Sequence, residues 1–241
     1  MLIKIRAIVL HSFAHNDTTN IVHMYTDEFG RMSYLARNMH SKRSNLKSAF
    51  FQPLSLIEIE ADHKGNRQLQ RIKDIRCLYT FTGIPFNPAK NAVSLFLAEV
   101  LYRSLRETEK NPVLFDYIFR SIQFLDSCEK GLANFHLVFL IKLTRYLGFY
   151  PNTEELHPRW YFDLLNGVFV PSRPIHNAWL TPEQAVGFEK LMHINFDNMP
   201  AFRFEHHQRV EVLRQILNYY RLHLVEFQTI KSLNVLQEIF D

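Results

Sequence analysis

Over the first 80 residues, hydrophobic and polar side chains alternate in short runs, which is the pattern of half-buried β-strands. Turn-forming residues such as Asp27-Glu28-Phe29-Gly30 separate these runs. The runs cover residues 4–10, 21–25, 32–37, 54–60 and 67–77. So few short strands cannot form a sandwich of the immunoglobulin type, and closing them into a barrel removes their exposed edges. The pattern therefore predicts an OB-fold, the five-stranded form of such a barrel.

After residue 85 the hydrophobic spacing changes to that of α-helices. Helices are predicted at 91–107, from Pro112 onward, at 135–147, from Thr181 to about Phe196, and at 205–227. Thr181-Pro182-Glu183-Gln184 has the order of a capping box with proline at its first position. Asn166-Gly167 separates two β-prone runs, at 161–165 and 168–170, and is a typical hairpin turn.

The change of period predicts an α+β chain of two domains. Residues 1–80 would form the barrel, and 81–241 an all-α helical bundle with a small β-hairpin insertion. Composition is that of a folded chain, because 47% of residues are hydrophobic and 22% are charged. No apolar run reaches the roughly 18 residues of a membrane span, and the N-terminus lacks the cleavage site of a signal peptide. We therefore expect a cytoplasmic protein.

The positive charge of the chain is concentrated in its first third. Residues 1–80 contain 12 Lys and Arg against 7 Asp and Glu, whereas 81–241 contain 16 against 17. Most of the excess lies in 31–76, with 10 basic and 4 acidic residues. A basic face attracts polyanions because neutralising phosphates releases condensed counterions. The distribution indicates a nucleic-acid partner, and a solvated lysine-rich surface is the alternative.

None of the common catalytic or cofactor motifs occurs in the sequence. There is no Gly-x-Gly-x-x-Gly loop, no Walker loop and no Gly-x-Ser-x-Gly elbow. His206 and His207 are adjacent and would point in different directions from a helix, so they cannot easily share one ion. Cys77 and Cys128 are too few for a disulfide framework or a zinc cage. We predict that the protein is not an enzyme and holds no metal or other cofactor.

The segment 37–47 combines basic side chains with short hydrogen-bonding ones. Its four permanent positive charges belong to Arg37, Lys42, Arg43 and Lys47. Such a loop can contact phosphates, to whose oxygens Ser and Asn side chains also donate. The aromatic residues nearest in sequence are Phe29, Tyr34, Phe50 and Phe51. An OB-fold can stack bases on such rings, and packing in the barrel core is the alternative, which we favour for Phe50 and Phe51.

In the segment 37–47 and in several others, the chain resembles the RecO family. The likeness includes Ala7-Ile8-Val9-Leu10 and Tyr25-Thr26-Asp27-Glu28-Phe29-Gly30, and it is most specific in Ser41-Lys42-Arg43-Ser44-Asn45-Leu46-Lys47. It continues through Gln52-Pro53 and Tyr146-Leu147-Gly148-Phe149-Tyr150-Pro151 to Tyr219-Tyr220-Arg221-Leu222-His223-Leu224. The resemblance touches both predicted domains and nearly the whole chain.

The resemblance implies an OB-fold domain followed by a helical domain, and a recombination mediator. Such a protein binds single- and double-stranded DNA, anneals complementary strands and works with the partner RecR. It recognises the acidic, hydrophobic-ended tail of single-stranded-DNA-binding protein and helps load recombinase onto coated DNA. The matching run assigns DNA contact to Arg37, Lys42, Arg43 and Lys47.

The chain departs from the family pattern where many relatives carry a four-cysteine zinc element. The corresponding stretch, Asn152-Thr153-Glu154-Glu155-Leu156-His157, contains no cysteine, and zinc needs about four soft or imidazole ligands. We expect that the region 151–180 replaces the zinc element and that its hairpin at Asn166-Gly167 packs through apolar contacts. Asn38 stands where the pattern usually has glycine, and asparagine tolerates a left-handed backbone.

The sequence defines the site for the partner tail least well. Basic residues flank Phe-rich stripes on the second and third predicted helices. A groove between these helices would offer an apolar slot for a terminal aromatic residue and cations for its carboxylate. The candidate residues are Arg120, Lys142, Arg145, Phe115, Phe119 and Phe139. The alternative is that these stripes face each other in the core.

Two other functions compete with DNA binding. A protein–protein adaptor would dock a partner peptide on its helical domain and use the barrel only as structure. An enzyme that acts on nucleic acid would need acidic metal ligands close to the basic loop. The nearest carboxylates, those of Asp27, Glu28, Glu58 and Glu60, belong to separate strands. We therefore favour DNA binding, with the adaptor as the alternative.

Overall fold

The computed structural model describes residues 2–37, 48–64, 67–152, 157 and 159–240. Its N-terminal strands are β1 Leu2–Asn16, β2 Thr19–Thr26, β3 Gly30–Arg37, β4 Leu56–Asp62 and β5 Leu69–Cys77. They close into a barrel in the order β1-β2-β3-β5-β4. The pair β3 and β5 is parallel, and the other neighbours are antiparallel. The five-stranded OB-fold barrel predicted from the alternation is confirmed.

Alternate residues of the strands fill the barrel, as a period of two requires. Tyr34 and Ala36 of β3 are completely buried in its core, so the residues between and beyond them lie on the outer surface. Phe51 joins the core, whereas Phe29 and Phe50 are partly buried and pack against it. Core packing is therefore confirmed for Tyr34 and Phe51.

Strand β1 has 15 residues and extends well beyond the predicted run 4–10, because it pairs with two neighbours. Its first half pairs with β4, from Leu2 to Ile8. Its second half pairs with β2, as far as Asn16. The register with β2 shifts between Val9 and His11, and a bulge of this kind bends a strand. The bend allows one strand to close the barrel.

Six α-helices follow the barrel within the described residues. They are α1 Pro88–Ser104, α2 Pro112–Ser127, α3 Leu132–Tyr146, α4 Pro182–His193, α5 His206–His223 and α6 Leu233–Phe240. A small sheet contains β6 Tyr161–Asp163, β7 Val168–Val170 and β8 Trp179–Leu180 in the order β7-β6-β8. The predicted capping box is confirmed, because Thr181 and Gln184 each donate a backbone N–H to the other's side chain.

Three helices end elsewhere than predicted. Helix α1 spans Pro88–Ser104 rather than 91–107, because the backbone is already extended at Leu105. Helix α4 ends at His193 rather than near Phe196, because the backbone is already extended at the next residue. Helix α5 ends at His223 rather than at Phe227, because the backbone is already extended at Leu224, and Glu226, with a φ of 60°, turns the chain further. Phe227 is nevertheless buried, with its ring 5.4 Å from that of Tyr220. A turn after the helix, rather than the helix itself, places this apolar side chain in the core. The elements β8 and α6 are additional to the predicted ones.

The chain forms two compact units. The first is Met1–Ser127 with Ile230–Ile239, and the second is Cys128–Thr229 with the last two residues. Helices α1 and α2 therefore belong with the barrel, so the units do not follow the change of pattern at residue 80. The division into domains at 1–80 and 81–241 stays a prediction.

In the first unit, a buried carboxylate attaches α2 to the segment that leaves the barrel. Asp126 Oδ1 accepts the backbone N–H groups of Gly83 at 2.8 Å and Ile84 at 2.7 Å. Its Oδ2 accepts that of Thr82 at 2.9 Å. Burial raises the pKa of Asp126, but these hydrogen bonds outweigh it and hold the pKa below its ordinary value. The ionised carboxylate is therefore part of the fold.

In the second unit, the predicted hairpin packs through apolar contacts, as expected. The ring of Phe162 lies 4.9 Å from that of Phe169, 4.8 Å from that of Phe188 and 5.9 Å from that of Tyr219. Gly167 has a φ of 68°, and a Cβ atom there would lie 2.5 Å from Tyr219 Oη. Glycine is thus required for the hairpin turn to approach α5.

Candidate nucleic-acid interface

The structure places Arg37 at the end of β3 with its side chain exposed. Because Tyr34 and Ala36 point into the barrel, Arg37 lies on the outer surface. Lys42, Arg43 and Lys47, the other residues with a predicted DNA contact, lie outside the described residues. Their contacts, like that of Arg37, stay a prediction.

A cleft of about 690 Å³ opens on the outer surface of the barrel beside β2 and β3. The β2–β3 turn, the β4–β5 connection and the connection after α1 form the rest of its wall. Its arginine, histidine and phenylalanine side chains are Arg31, Arg67, Arg106, His23, His63 and Phe29. None of the described residues that line it is acidic. We call it the basic cleft.

Arg31 forms the rigid wall of the basic cleft. Its Nη1 donates to the carbonyl oxygens of Tyr102 at 2.9 Å and Leu105 at 3.0 Å, at the C-terminal end of α1. Its guanidinium carbon lies 4.4 Å from the centre of the Tyr102 ring. Burial lowers the pKa of Arg31, yet an arginine stays charged in proteins. The side chain therefore supplies a positive charge in one defined position.

The connection after α1 lies directly against the β2–β3 turn. The backbone N–H of Arg31 donates to Glu107 O at 2.9 Å. Gly30 has a φ of 56°, and a Cβ atom there would lie 2.5 Å from Glu107 O. A residue without a side chain is needed for this approach. The contact brings Arg106, from a helical part of the sequence, to the barrel surface.

Two stacked rings lie at the other side of the basic cleft. Phe29 and His63 have ring centroids 4.0 Å apart and planes inclined by 13°. The turn that carries Phe29 is held by Thr26, whose hydroxyl accepts from Phe29 N at 3.0 Å and donates to Gly30 O at 2.9 Å. Aromatic faces of this kind are the surfaces on which unpaired bases stack.

A buried glutamine holds the β4–β5 connection in place. Gln70 Oε1 accepts from Lys64 N at 3.0 Å, and its Nε2 donates to Lys64 O at 2.9 Å and Arg67 O at 2.6 Å. The amide of Gln70 thus forms with the connection the kind of hydrogen bonds that another backbone segment would otherwise provide. Because Gln70 fixes the backbone at Arg67, it is a positioning residue for the basic cleft.

Sequence reasoning missed these residues of the basic cleft. Arg31 and Arg67 lie within the basic stretch 31–76, but the charge alone does not select them. Arg106 follows α1, so only the fold brings it to the barrel. The signal that could have revealed Gln70 is its position, because a polar residue at an inward-facing place of a strand needs partners.

The six residues of the predicted tail site are divided between the two units. In the first unit, Phe115 is completely buried beside Tyr25, at a ring distance of 6.3 Å, Phe119 is half-buried and Arg120 is exposed. In the second unit, Phe139 is completely buried, Lys142 donates to Met192 O at 3.2 Å and Arg145 is exposed. The buried rings belong to the cores, and the tail site stays a prediction.

The part of the chain that the structure describes offers no other obvious chemistry. None of its His, Cys, Asp and Glu residues come together in groups of three or more that could hold a metal ion. None of its helices has both the length and the apolar character needed to span a membrane. The basic cleft is therefore the best candidate site among these residues.

Comparison with known proteins agrees with this architecture. The model of the family described as "Recombination protein O N terminal" matches residues 1–81, and "Recombination protein O C terminal" matches residues 85–233. Proteins named DNA repair protein RecO from Bacteroides fragilis and Phocaeicola vulgatus are 48% and 46% identical, over the full length of both chains. The one from Flavobacterium psychrophilum is 38% identical, also over the full length of both chains. The chain belongs to the RecO family.

Proposed function

We propose that this protein acts in DNA repair and recombination by binding single- and double-stranded DNA on its barrel. The basic cleft carries the proposal, because three arginines and the stacked rings of Phe29 and His63 meet there with no acidic residue among the described lining. The full-length similarity to proteins named DNA repair protein RecO supports the same role.

The position of the basic cleft on the barrel also supports DNA binding. An OB-fold binds nucleic acids on its second and third strands, between the first loop and the loop that joins strands four and five. His23 belongs to β2, Arg31 to β3, and His63 and Arg67 to the β4–β5 connection. The cleft thus occupies the surface that this fold commonly uses.

The two kinds of side chain in the cleft have different tasks. Arginines contact phosphates, which single strands and duplexes both expose. Aromatic rings contact the faces of bases, which only unpaired bases expose. A surface with both can therefore hold either form of DNA and gain extra affinity from single strands. This combination suits a protein that anneals complementary strands.

The wider activity in the proposal follows from the family resemblance. The protein would work with RecR, recognise the acidic tail of single-stranded-DNA-binding protein and help load recombinase. Arg120 and Phe119 of the first unit and Arg145 of the second have exposed or half-exposed side chains and remain candidate contacts for that tail. The protein would act in the cytoplasm at the nucleoid, as a binder rather than an enzyme.

The double variant Arg67→Ala/Arg106→Ala tests the DNA-binding role of the cleft. Fluorescence anisotropy would give its affinity for a labelled single-stranded oligonucleotide across a salt series. If both arginines contact phosphates, the slope of log K against log salt concentration becomes less steep by about 0.7 per contact. On a duplex the change is about 0.9 per contact.

Arg203→Ala is the matched control, because Arg203 is an exposed arginine of the second unit. This variant should retain the wild-type slope. A correctly folded double variant with the wild-type slope would contradict the assignment of the cleft. Normal partner binding without any DNA affinity would favour the adaptor instead.

A further inference from the structure

Three aromatic side chains stand together on the outer surface of β1 and β2. His11 and His23 face each other across the two strands, with ring centroids 6.5 Å apart and planes inclined by only 5°. Phe13 lies on the same face of β1, with its ring 5.9 Å from that of His11 and 5.7 Å from that of His23. We call His11, Phe13 and His23 the ring strip.

The ring strip is only partly open to solvent, because Tyr102 of α1 lies against both histidines, with its ring 5.1 Å from that of His11 and 5.2 Å from that of His23. Phe13 is 41% exposed, His11 is exposed and His23 is half-buried. The neighbours of Phe13 on the sheet, Ile21 of β2 and Leu35 of β3, are only half-buried themselves. Clustered exposed apolar side chains of this kind commonly mark a binding surface.

The ring strip connects two positively charged places on the barrel. At one end, His23 lines the basic cleft with Arg31. At the other end, Phe13 lies opposite Ile21 of β2, and Ile21 lies opposite Leu35 of β3. Leu35 is two residues before Arg37, at the end of β3. Arg31 and Arg37 both lie on the outer surface, about 20 Å apart along the strand. A strand of nucleic acid that contacts both arginines would pass Ser33 and Leu35 of β3, with His23 one strand away and His11 and Phe13 two strands away, about 10 Å to the side.

The rings are suited to stacking rather than to ion pairing. Burial lowers the pKa of His23 to about 4, with the charge of Arg31 contributing. Burial, followed by Arg103, also lowers the pKa of His11. Both rings are therefore neutral aromatic surfaces at physiological pH. The carboxylate of Glu99 raises the pKa of His11 and so opposes these effects. That carboxylate already accepts hydrogen bonds from the backbone N–H groups of Lys231 and Ser232.

We propose that the ring strip is a stacking platform for unpaired bases, along which single-stranded DNA runs between the basic cleft and Arg37. The proposal rests on the proposed function, because it extends the same DNA-binding surface. Stacking on aromatic rings tolerates every base, since each base has a π-face. The ring strip would therefore determine the preference for single strands over duplexes rather than any preference for sequence.

The variants Phe13→Ala and His11→Ala test the platform, and Phe86→Ala is the matched control. Phe86 is 83% exposed and belongs to the segment after β5. Anisotropy at one salt concentration would compare a labelled oligothymidylate with a labelled duplex. Each strip variant should bind the single strand about 5- to 150-fold more weakly, and Phe86→Ala should bind it normally.

Three further results are expected of a stacking contact. Duplex binding stays unchanged, because paired bases keep their faces covered. The salt slope stays unchanged, because the lost rings carry no charge. The variant Phe13→Trp, unlike Phe13→Ala, keeps the wild-type affinity for the single strand, because indole also stacks. Normal single-strand affinity of both alanine variants would overturn the platform, as would equal losses on single strand and duplex.

A second measurement uses the wild-type protein and so avoids any effect of a substitution on folding. Irradiation with an oligonucleotide that contains bromodeoxyuridine should cross-link peptides that carry His11 or Phe13. Cross-links only to residues of the basic cleft outside the ring strip, such as Arg67 and Arg106, would overturn the platform and leave the proposed function standing. Wild-type protein that binds neither form of DNA would overturn both, so the two failures are distinguishable.

Discussion

Replacing Gly30 with alanine should be unusually damaging for the addition of one methyl group. Gly30 has a φ of 56°, a conformation that alanine adopts only with strain. A Cβ atom there would lie 2.5 Å from Glu107 O and 2.6 Å from Glu109 O. Both are backbone atoms, so the connection after α1 has to move away, and no side-chain rotation can relieve the clash.

The magnitude follows from the contacts that this movement disturbs. The left-handed backbone costs an alanine about 1 kcal/mol or slightly more. Displacement breaks the hydrogen bond from Arg31 N to Glu107 O, which contributes about 1 kcal/mol. It also strains the bonds from Arg31 Nη1 to Tyr102 O and Leu105 O. We expect a loss of about 2–4 kcal/mol, or roughly 5–15 °C in the melting temperature of the first unit.

Scanning calorimetry with Gly148→Ala as the control measures this effect. Gly148 also has a positive φ, of 85°, but, beyond its two neighbours in the chain, no atom of the described residues lies within 4 Å of the place of its Cβ. Its replacement should therefore cost only the backbone strain, about 1 kcal/mol. Equal losses in the two variants would refute the close approach at Gly30. Gly30→Ala should also weaken DNA binding, because Arg106 moves with the connection.

Three other changes have expected outcomes. Asp126→Asn should lower the free energy of unfolding by about 2–4 kcal/mol in a urea titration, because an amide cannot accept all the backbone donors that surround the carboxylate. Burial lowers the pKa of His136 to about 3, so its unfolded form gains a proton first as pH falls. Stability should therefore be complete above about pH 6.5 and decrease below it, by at most about 1.4 kcal/mol per pH unit; His136→Gln should reduce this dependence. Gln70→Leu removes the partners of Lys64 and Arg67, so amide exchange of Lys64 should become faster and DNA binding weaker, while unchanged exchange would argue against its positioning role.

The barrel could be predicted from the sequence because each strand has its own alternation and its own turns. The long second half of β1 could not, because it exists through pairing with β2 rather than through local preference. The end of α5 was misplaced for a related reason. Phe227 continues the apolar spacing of that helix, yet it reaches the core through a turn at Glu226. Tertiary contacts determine such boundaries.

The basic character of the site could be predicted, but its composition could not. Charge counting identifies a basic region, and it says nothing about which cations meet on one surface. Phe29, His63 and Arg106 come from three distant segments, and the fold alone brings them to one cleft. The contact between Gly30 and Glu107 that places Arg106 there has no local signature beyond the glycine itself. The ring strip depends in the same way on the register between β1 and β2.

The most direct test of DNA binding by the barrel is the salt dependence of the wild-type affinity for a single-stranded oligonucleotide. Phosphate contacts by Arg31, Arg37, Arg67 and Arg106 alone would give a plot of log K against log salt concentration with a slope of about −3. Further basic contacts would make the slope steeper. We predict a linear decrease of at least this steepness. A flat salt dependence, or no measurable affinity at low salt, would contradict the account.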